Sequence, residues 1–533
     1  MDDLVASGRP AGYQDDAGPG RPAPASAHPS REALVPPPRD VAARDTAALD
    51  ATGVPVPADA VVGAAAVESA PPRPGAGPVR RARVVFAVVC AAVFMSNLDL
   101  FVVNVAFPDI HRDLGGGLST LSWILNAYAI VFAALLVPAG RLADRYGHRA
   151  GFLLGTGLFT AASAACAAST GLAMLIAGRA LQAAGAAVLL PTSLALLLDA
   201  TPPARRAGAV RGWAAVGGLA AALGPVVGGL LVEASWRWVF LINVPVGIAT
   251  LVTGVRVLPR PRSADPGRLP DVVGVLTLTG GIGLLALGLV ESSGWGWTSG
   301  GVIGGLAGAV VLLAAFVARS ARHPAPVVEL AVLRAPGFGP AVVALLLFTV
   351  SFAAMLLSVV QYADAAWGWS ALRIGLAITP GPAMVPPVAL LLAGRAVARF
   401  GLGRVAGTGG VLFAAGVGWW ALRLDLHSSY ASSLLPGMLL TGIGVGLVLP
   451  ALTAGASTVL PPDRFATGSA VVNMSRQIAS VLGVAILVAV VGTPPRDSLV
   501  RSFHHGWWFI CATAFAAALA ALVGLPGRAA SGR

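Results

Sequence analysis

The stretch GRLADRYGHR at residues 140–149 returns as GRAVARFGLGR at residues 394–404, which indicates an internal repeat. Two further pairs keep the same order along the chain: LLP at 189–191 with VLP at 448–450, and PPARRAGAV at 202–210 with PPDRFATGSAV at 461–471. Corresponding positions lie 254 to 259 residues apart. The chain is therefore predicted to be duplicated, and two similar halves around a site near the membrane midplane are typical of transporters.

Long apolar stretches fill most of the 533-residue chain, which is 56% hydrophobic and 11% charged, with a mean hydropathy of +0.79. From Val84 onward these stretches have lengths near the ~20 residues that a helix needs to cross ~30 Å of hydrocarbon. We predict an all-α membrane protein with fourteen transmembrane helices, numbered 1 to 14, at about residues 84–107, 119–139, 150–169, 171–199, 212–232, 237–257, 271–290, 300–318, 339–363, 370–393, 405–423, 431–453, 466–491 and 505–525.

The duplication and the spans together predict the domain organisation. Residues 1–83 are expected to form a disordered tail, because a stretch rich in Pro, Ala, Asp and Arg without apolar periodicity cannot bury enough surface to offset chain entropy. Helices 1 to 6 (84–257) and 9 to 14 (339–525) form two six-helix bundles. Residues 258–338 hold the two inserted helices and their loops, and residues 526–533 form the C-terminus.

Arginine supplies all 36 basic residues, and its placement predicts the orientation of the chain. Since arginine-rich loops stay in the cytoplasm, seventeen loop arginines on one side against six on the other predict a plasma-membrane protein with both termini cytoplasmic. The same placement explains the net charge of +12 without a nucleic-acid partner. The larger set is Arg141, Arg145, Arg149, Arg205, Arg206, Arg211, Arg256, Arg260, Arg262, Arg268, Arg319, Arg322, Arg334, Arg395, Arg399, Arg404 and Arg464, and the smaller is Arg112, Arg237, Arg373, Arg423, Arg496 and Arg501.

The lack of lysine excludes several kinds of site. A phosphate-binding loop of the Walker type needs a lysine, so the chain cannot drive transport with an ATPase of its own. A lysine Schiff base to retinal or pyridoxal phosphate is excluded as well. The three cysteines and seven histidines lack the paired spacing of zinc or haem ligands. We therefore expect no cofactor and no metal.

Asp99 is the clear carboxylate inside predicted helix 1, about 8 residues or roughly 12 Å from the predicted outer end at Phe107. Arg179 has a similar depth in predicted helix 4, which runs in the opposite direction. We expect a direct or water-bridged contact, because either charge alone is costly in hydrocarbon. Gln182, one turn after Arg179, widens the polar stripe. We predict that Asp99 and Arg179 couple the protein to protons, with a purely structural link between helices as the alternative.

Other polar residues predict a cavity. On predicted helix 13, residues 473, 476 and 477 share one face near mid-membrane, although packing between helices is an alternative for the two amides. Predicted helix 10 contains no acid, and four prolines suggest a broken helix that lines the cavity: Pro380, Pro382, Pro386 and Pro387. The predicted cavity residues are Asn104, Gln182, Gln361, Asn473, Arg476 and Gln477. Because charges are few and the walls apolar, we expect a small hydrophobic substrate, neutral or weakly charged.

Predicted helix 5 reads GGLAAALGPVVGGLL from Gly217 and has small residues along one face. Such a stripe lets helices approach closely, and the proline within it loosens the backbone. The residues of interest here are Gly224, Pro225, Gly228 and Gly229.

These motifs resemble those of a known family. GRLADRYGHR between helices 2 and 3 looks like the signature loop of the major facilitator superfamily, and LGPVVGG at 223–229 resembles its antiporter motif. DLFVVNVAFPDI at 99–110, SWRWVFLINVPVG at 235–247 and VVNMSRQIASVLGVAIL at 471–487 are similar to stretches of its fourteen-helix drug:proton antiporters. The resemblance extends from Val84 to about Leu525 and implies the major facilitator fold.

The resemblance also implies roles for individual residues. Arg179 would act in proton relay, residues 224–229 would form a hinge that controls leakage, and the signature loop would form a cytoplasmic conformational latch. Three residues depart from the family pattern: His148 replaces a basic residue, Ala398 replaces an acid in the second copy, and Ala220 replaces a glycine. The latch residues are Gly140, Asp144, Arg145, Gly147 and Arg149.

Together these features predict proton-coupled export of small hydrophobic molecules, such as an antibiotic, by a monomer that contacts lipid, protons and its substrate. An uptake porter of the same fold is an alternative, since the repeats do not fix direction. A membrane enzyme would need clustered nucleophiles, metal ligands or paired acids, which the sequence lacks. A non-transporting sensor should lack the internal duplication.

Overall fold

The computed structural model describes residues 76–525, apart from 260–270, 325, 428, 459, 461–464 and 493. The predicted tail up to residue 75 and the predicted C-terminus lie outside these residues. Fourteen helices in the described part are long and apolar enough to cross a membrane, so the predicted all-α membrane fold is confirmed. They are α1 Ala82–Leu114, α2 Leu118–Tyr146, α3 His148–Ala167, α4 Leu172–Ala200, α5 Pro203–Ala234, α6 Trp238–Val257, α7 Val272–Val290, α8 Gly300–Ser320, α9 Phe338–Trp367, α10 Ala371–Phe400, α11 Leu402–Arg423, α12 Tyr430–Thr453, α13 Gly468–Val491 and α14 Arg496–Gly524.

The two six-helix halves pack alike. In the N-terminal half α1 lies against α4, α5 and α6, α2 against α4, and α3 against α4 and α6. In the C-terminal half α9 lies against α12, α13 and α14, α10 against α12, and α11 against α12 and α14. Each pair in one half thus has its counterpart eight helices later, as the internal repeat predicts.

Contacts between the halves follow the same symmetry, because α2 packs on α13 and α5 on α10. The inserted α7 lies beside both α2 and α13, whereas α8 packs mainly on α7. Only 22% of the most apolar part of α8 is buried within the protein, so most of its surface is left for lipid. The inserted pair therefore lies at the edge of the bundle.

An ion pair joins the ends of the two inserted helices. Asp271 caps α7 by accepting a hydrogen bond from the Gly274 backbone N–H at 2.9 Å, and it accepts another from Arg319 Nε of α8 at 2.6 Å. Burial would raise the pKa of Asp271, but these two donors outweigh it and hold that pKa below its ordinary value. The pair fixes α8 to α7 at the end of the span.

Glycines end α2 and α10 at equivalent positions of the repeat. Gly147 has a φ of 99° and Gly401 a φ of 87°, a backbone conformation that side chains with a Cβ rarely adopt. Each glycine turns the chain directly into the next span, α3 or α11. The two copies of the signature loop therefore share a backbone geometry.

Several helices begin or end outside their predicted bounds, and the first is an example. The helix that contains the span α1 begins at Ala76, within the stretch assigned to the tail, and continues past Phe107 to Leu114. Pro108 did not end it, although the residue before a proline favours extended backbone. The tenth span consists of consecutive segments: the helix Ala371–Ile378, a turn at Thr379, the helix Pro380–Pro387 with its prolines, and a π-helical segment, Val388–Ala393. The interruption that the prolines suggested thus lies at Thr379, and Pro382 lines the cavity. A π-helical turn takes up the backbone mismatch that prolines introduce by removing donors.

Candidate functional site

Asp99 of α1 and Arg179 of α4 form an ion pair inside the N-terminal half. Arg179 Nη1 donates to Asp99 Oδ2 at 2.5 Å, and both side chains are fully buried. The similar depths of Asp99 and Arg179 in their helices predicted this contact. It forms although α1 extends seven residues beyond its predicted outer end. A buried pair of this kind is strongly destabilised when either partner is removed, because one charge is then left alone.

Amide side chains complete the hydrogen bonding of the Asp99 carboxylate. Gln182 Nε2 and Asn243 Nδ2 donate to Asp99 Oδ1 at 2.8 and 3.0 Å. Gln182 also accepts from Arg179 Nη1 at 2.6 Å and donates to Ser163 Oγ at 2.8 Å. The Asp99 carboxylate therefore joins α1, α3, α4 and α6 through a single hydrogen-bond network. A change in the charge of Asp99 would alter the hydrogen bonds that hold these four helices together.

The guanidinium of Arg179 is held on its other sides by α2 and by aromatic rings. Its Nε donates to the Ile124 carbonyl at 3.2 Å, and its carbon lies 4.3 Å from the centre of the Tyr128 ring. The Phe240 ring lies 5.8 Å away. Within the described part of the chain, Nη2 has no hydrogen-bond partner. Cation–π contacts are stronger in a desolvated site, so these rings help to keep the charge buried.

The sequence did not predict Asn243, Ser163 or Tyr128 as members of this network. Ser163 follows Thr156 and Thr160 at helical spacing, but hydroxyls in a helix commonly hydrogen-bond to their own backbone, as both threonines do, so the pattern did not indicate a site. Asn243 was visible within WVFLINVPVG, residues 238–247, as an amide in an otherwise apolar run. That was the available clue, since an amide in a membrane helix usually hydrogen-bonds across to another helix.

A cavity of about 480 Å³ lies between the two halves. It is lined by residues of α1, α4, α5, α9, α10, α12 and α13, most of which are aliphatic, aromatic or glycine. This volume lies in the range of ~300–1,000 Å³ that drug-sized ligands occupy. No group of three or more His, Cys, Asp or Glu residues in the described ranges could hold a metal ion.

Three of the six predicted cavity residues line this space, and three do not. Asn104, Asn473 and Arg476 are lining residues. Gln182 belongs instead to the Asp99 network, and Gln361 and Gln477 are not among the lining residues. Each of these two follows a lining residue, Val360 or Arg476, and neighbours on a helix point about 100° apart.

The glycines of α5 lie where helices approach closely. A Cβ on Gly224 would clash with Phe101 of α1, and one on Gly228 would lie 3.2 Å from the Val102 backbone. Gly229 faces the other half instead, where a Cβ would lie 2.8 Å from Leu372 Cα of α10. Pro225 lines the cavity, and its carbonyl lies against Gly375 of α10. The motif thus joins α1 on one face and the C-terminal half on the other.

The predicted latch residues lie at the end of α2 and the start of α3. Asp144 Oδ1 lies 2.9 Å from His148 Nε2, and His148 Nδ1 lies 3.7 Å from Asp199 Oδ2 at the end of α4. Arg149 Nη2 donates to the Val255 carbonyl of α6 at 2.6 Å.

The other latch residues lie beside these. The Arg145 guanidinium carbon lies 5.8 Å from the centre of the Tyr146 ring. A Cβ on Gly140 would lie 3.7 Å from Pro191 of α4, and Gly147 makes the turn between α2 and α3. The contacts described for Asp144, His148 and Arg149 all join helices of the N-terminal half.

Comparison with known proteins identifies the family. Residues 89–362 match the model of the Major Facilitator Superfamily. The chain is 35% identical to the probable actinorhodin transporter of Streptomyces coelicolor, over 78% of this chain and 73% of that protein. It is 33% identical to the tetracenomycin C resistance and export protein of Streptomyces glaucescens, over 77% of this chain and 76% of that protein.

A solved structure supports the same fold. A peptide transporter POT in complex with sulfate aligns with a TM-score of 0.60 at 18% identity, over 82% of this chain and 93% of that one. At this identity the likeness shows the fold alone. With the family model and the relatives, it shows that this chain is a multi-pass membrane transporter of the Major Facilitator Superfamily and belongs to its drug-efflux branch.

Proposed function

We propose that the protein exports small hydrophobic molecules in exchange for protons by alternating access, as a monomer in the plasma membrane with both termini in the cytoplasm. The observation that carries this proposal is the placement of a buried acid–base pair directly behind an apolar cavity between two halves. Asn97 and Phe101 of α1 line the cavity, and Asp99 lies between them in the sequence but faces the network. Helix α1 therefore contacts both the substrate space and the carboxylate.

Contacts between the halves support a conformation that loads from the cytoplasm. On the predicted outer side of the cavity, Gly229 of α5 lies against Leu372 of α10, and Arg112 of α1 lies 3.9 Å from Asp364 of α9. These contacts lie between the cavity lining and the predicted outer surface, so the two halves are in contact on the outer side of the cavity. Opening this side while the other side closes would complete an alternating-access cycle.

Protonation of Asp99 supplies a physical link between the two sites. The ionised carboxylate accepts hydrogen bonds from Arg179, Gln182 and Asn243. A proton on it would remove its charge attraction to Arg179 and leave fewer acceptor positions for three donors. The packing of α1 against α4 and α6 would then change, and α1 also forms a wall of the cavity.

The relatives and the cavity together support an antibiotic-like cargo. Two relatives are named for the transport or export of actinorhodin and tetracenomycin C. The described cavity lining is largely apolar, which fits a hydrophobic organic molecule better than a sugar or a peptide. No enzymatic step is needed for this activity.

Transport in inside-out membrane vesicles tests the direction and the coupling. Acidification of the vesicle lumen should drive a fluorescent hydrophobic dye inward, and a protonophore should abolish the accumulation. The matched control is a chain with Asp99→Asn, which should lose this dependence on the gradient. Dye movement out of vesicles with an acidic lumen would indicate an uptake porter, and no movement of any dye would contradict proton-coupled export of such molecules.

A further inference from the structure

Arg476 is the one charged side chain among the described residues that line the cavity. In the N-terminal half, Arg179 is neutralised by direct contact with Asp99. No aspartate or glutamate in the described ranges forms a salt bridge with Arg476. A guanidinium at membrane depth is costly without a counter-charge, so its presence points to an anion that comes from outside the chain.

A small recess opens beside Arg476 and differs in character from the main cavity. It has a volume of about 90 Å³, and its polar lining residues are Thr453, Ser469, Asn473 and Arg476. The same four residues also line the main cavity. Arg476 therefore lies where a large apolar space meets a small polar one.

We propose that the cargo is an amphiphilic organic acid, whose apolar body occupies the main cavity and whose anionic group binds Arg476. The inference rests on the proposed export function and narrows its substrate class from hydrophobic molecules in general to hydrophobic acids. Arginine suits this role because its planar fork of N–H donors matches a carboxylate or sulfonate with two parallel hydrogen bonds. The recess has room for such a group, whereas the wider cavity accommodates rings.

The acids of the described chain support this charge preference. Asp99 is engaged with Arg179, Gln182 and Asn243 and does not line the cavity. No carboxylate belongs to the described lining, so a cationic cargo would lie near Arg476 without a negative charge to compensate it. Like-charge contact in a site of low dielectric constant is strongly unfavourable. The cavity should therefore select acids over bases of the same size.

Two dyes with the same ring system separate charge from hydrophobicity. They are 8-anilino-1-naphthalenesulfonate and N-phenyl-1-naphthylamine, which lacks the sulfonate. Binding is measured to the full chain in lipid nanodiscs, with empty nanodiscs subtracted. Arg476→Gln should weaken binding of the sulfonate dye by about tenfold or more, which corresponds to about 1.4 kcal/mol. Binding of the neutral dye should change less than about twofold.

Two further variants guard against effects on folding. Arg476→Lys keeps the charge and should restore part of the affinity for the sulfonate dye. Arg395→Gln removes an exposed arginine of α10 that does not line the cavity, and it should change neither affinity. Equal changes for both dyes in Arg476→Gln, or no change for either, would overturn the inference. Binding of the neutral dye alone, or of neither dye, by the unaltered chain would overturn it as well.

Transport of the same dyes in the same samples separates this inference from the proposed function. If a proton gradient drives both dyes and Arg476→Gln has no selective effect, the inference fails and proton-coupled export stands. If the sulfonate dye binds in an Arg476-dependent way but no gradient moves either dye, the proposed function fails and the anion site stands.

Discussion

The two halves of the molecule share a scaffold and differ in their polar chemistry. The N-terminal half contains the neutralised pair of Asp99 and Arg179 behind the cavity wall. In the C-terminal half, α9 is the counterpart of α1, and it contributes only apolar residues to the described lining. The C-terminal half contributes Arg476, which is the one charged side chain among the described residues that line the cavity.

Under the proposed function, the two halves divide two tasks between them. A transporter that exchanges protons for a substrate needs one group that changes its charge and another that recognises the cargo. If both tasks used the same side chain, the two ligands would compete for it directly. Here the carboxylate lies behind the cavity wall and the free cation lies in the wall. Movement of the halves relative to each other would then link the two sites.

The largest expected effect separates the paired arginine from the free one. Arg179→Ala should lower the free energy of unfolding by about 3–5 kcal/mol, because it leaves the fully buried Asp99 without its counter-charge. Arg476→Ala should change it far less, since no described carboxylate depends on that side chain. Chemical denaturation in a mild detergent would measure both. Equal losses in the two variants would contradict the assignment of different roles.

The next prediction concerns the contact between the halves. Gly229→Ala should slow transport strongly, because its Cβ would lie 2.8 Å from Leu372 Cα and would hold α5 away from α10. Gly304→Ala on α8 is the matched control, since a Cβ there meets nothing within 4 Å. Initial rates of dye transport at equal protein abundance would compare them. Unchanged rates in Gly229→Ala would show that this close approach does not matter for the cycle.

A smaller effect should distinguish the two copies of the signature loop. Asp144→Asn removes the charged partner of His148, 2.9 Å away, and should slow transport while leaving the melting temperature nearly unchanged, because Asp144 is 68% exposed. Ala398→Asp restores an acid to the second copy and should have little effect. Transport rates and thermal melts of both variants would test this. A strong gain of activity in Ala398→Asp would show that the second copy can also act as a latch.

The sequence predicted the shared scaffold well, because each feature had its own physical signal. Repeated motifs indicated the duplication, apolar lengths gave the spans, and antiparallel helices of known rise placed Asp99 and Arg179 at one depth. Finer features had no such signal. Gln361 was assigned to the cavity as a polar residue and Gln477 because it shares a helix face with Asn473 and Arg476, but neither glutamine is among the lining residues. Gly375, whose close approach to Pro225 joins the halves, resembles any other glycine of a membrane helix.

The division of tasks is tested most directly by Asp99→Asn in proteoliposomes with an imposed pH gradient. Because the amide cannot exchange a proton, the variant should bind a hydrophobic dye with an affinity close to that of the unaltered chain and lose gradient-driven transport. Native thermal melts of the purified variant would verify that it is folded. Full gradient-driven export by folded Asp99→Asn would contradict the proposal and place the proton site on another residue.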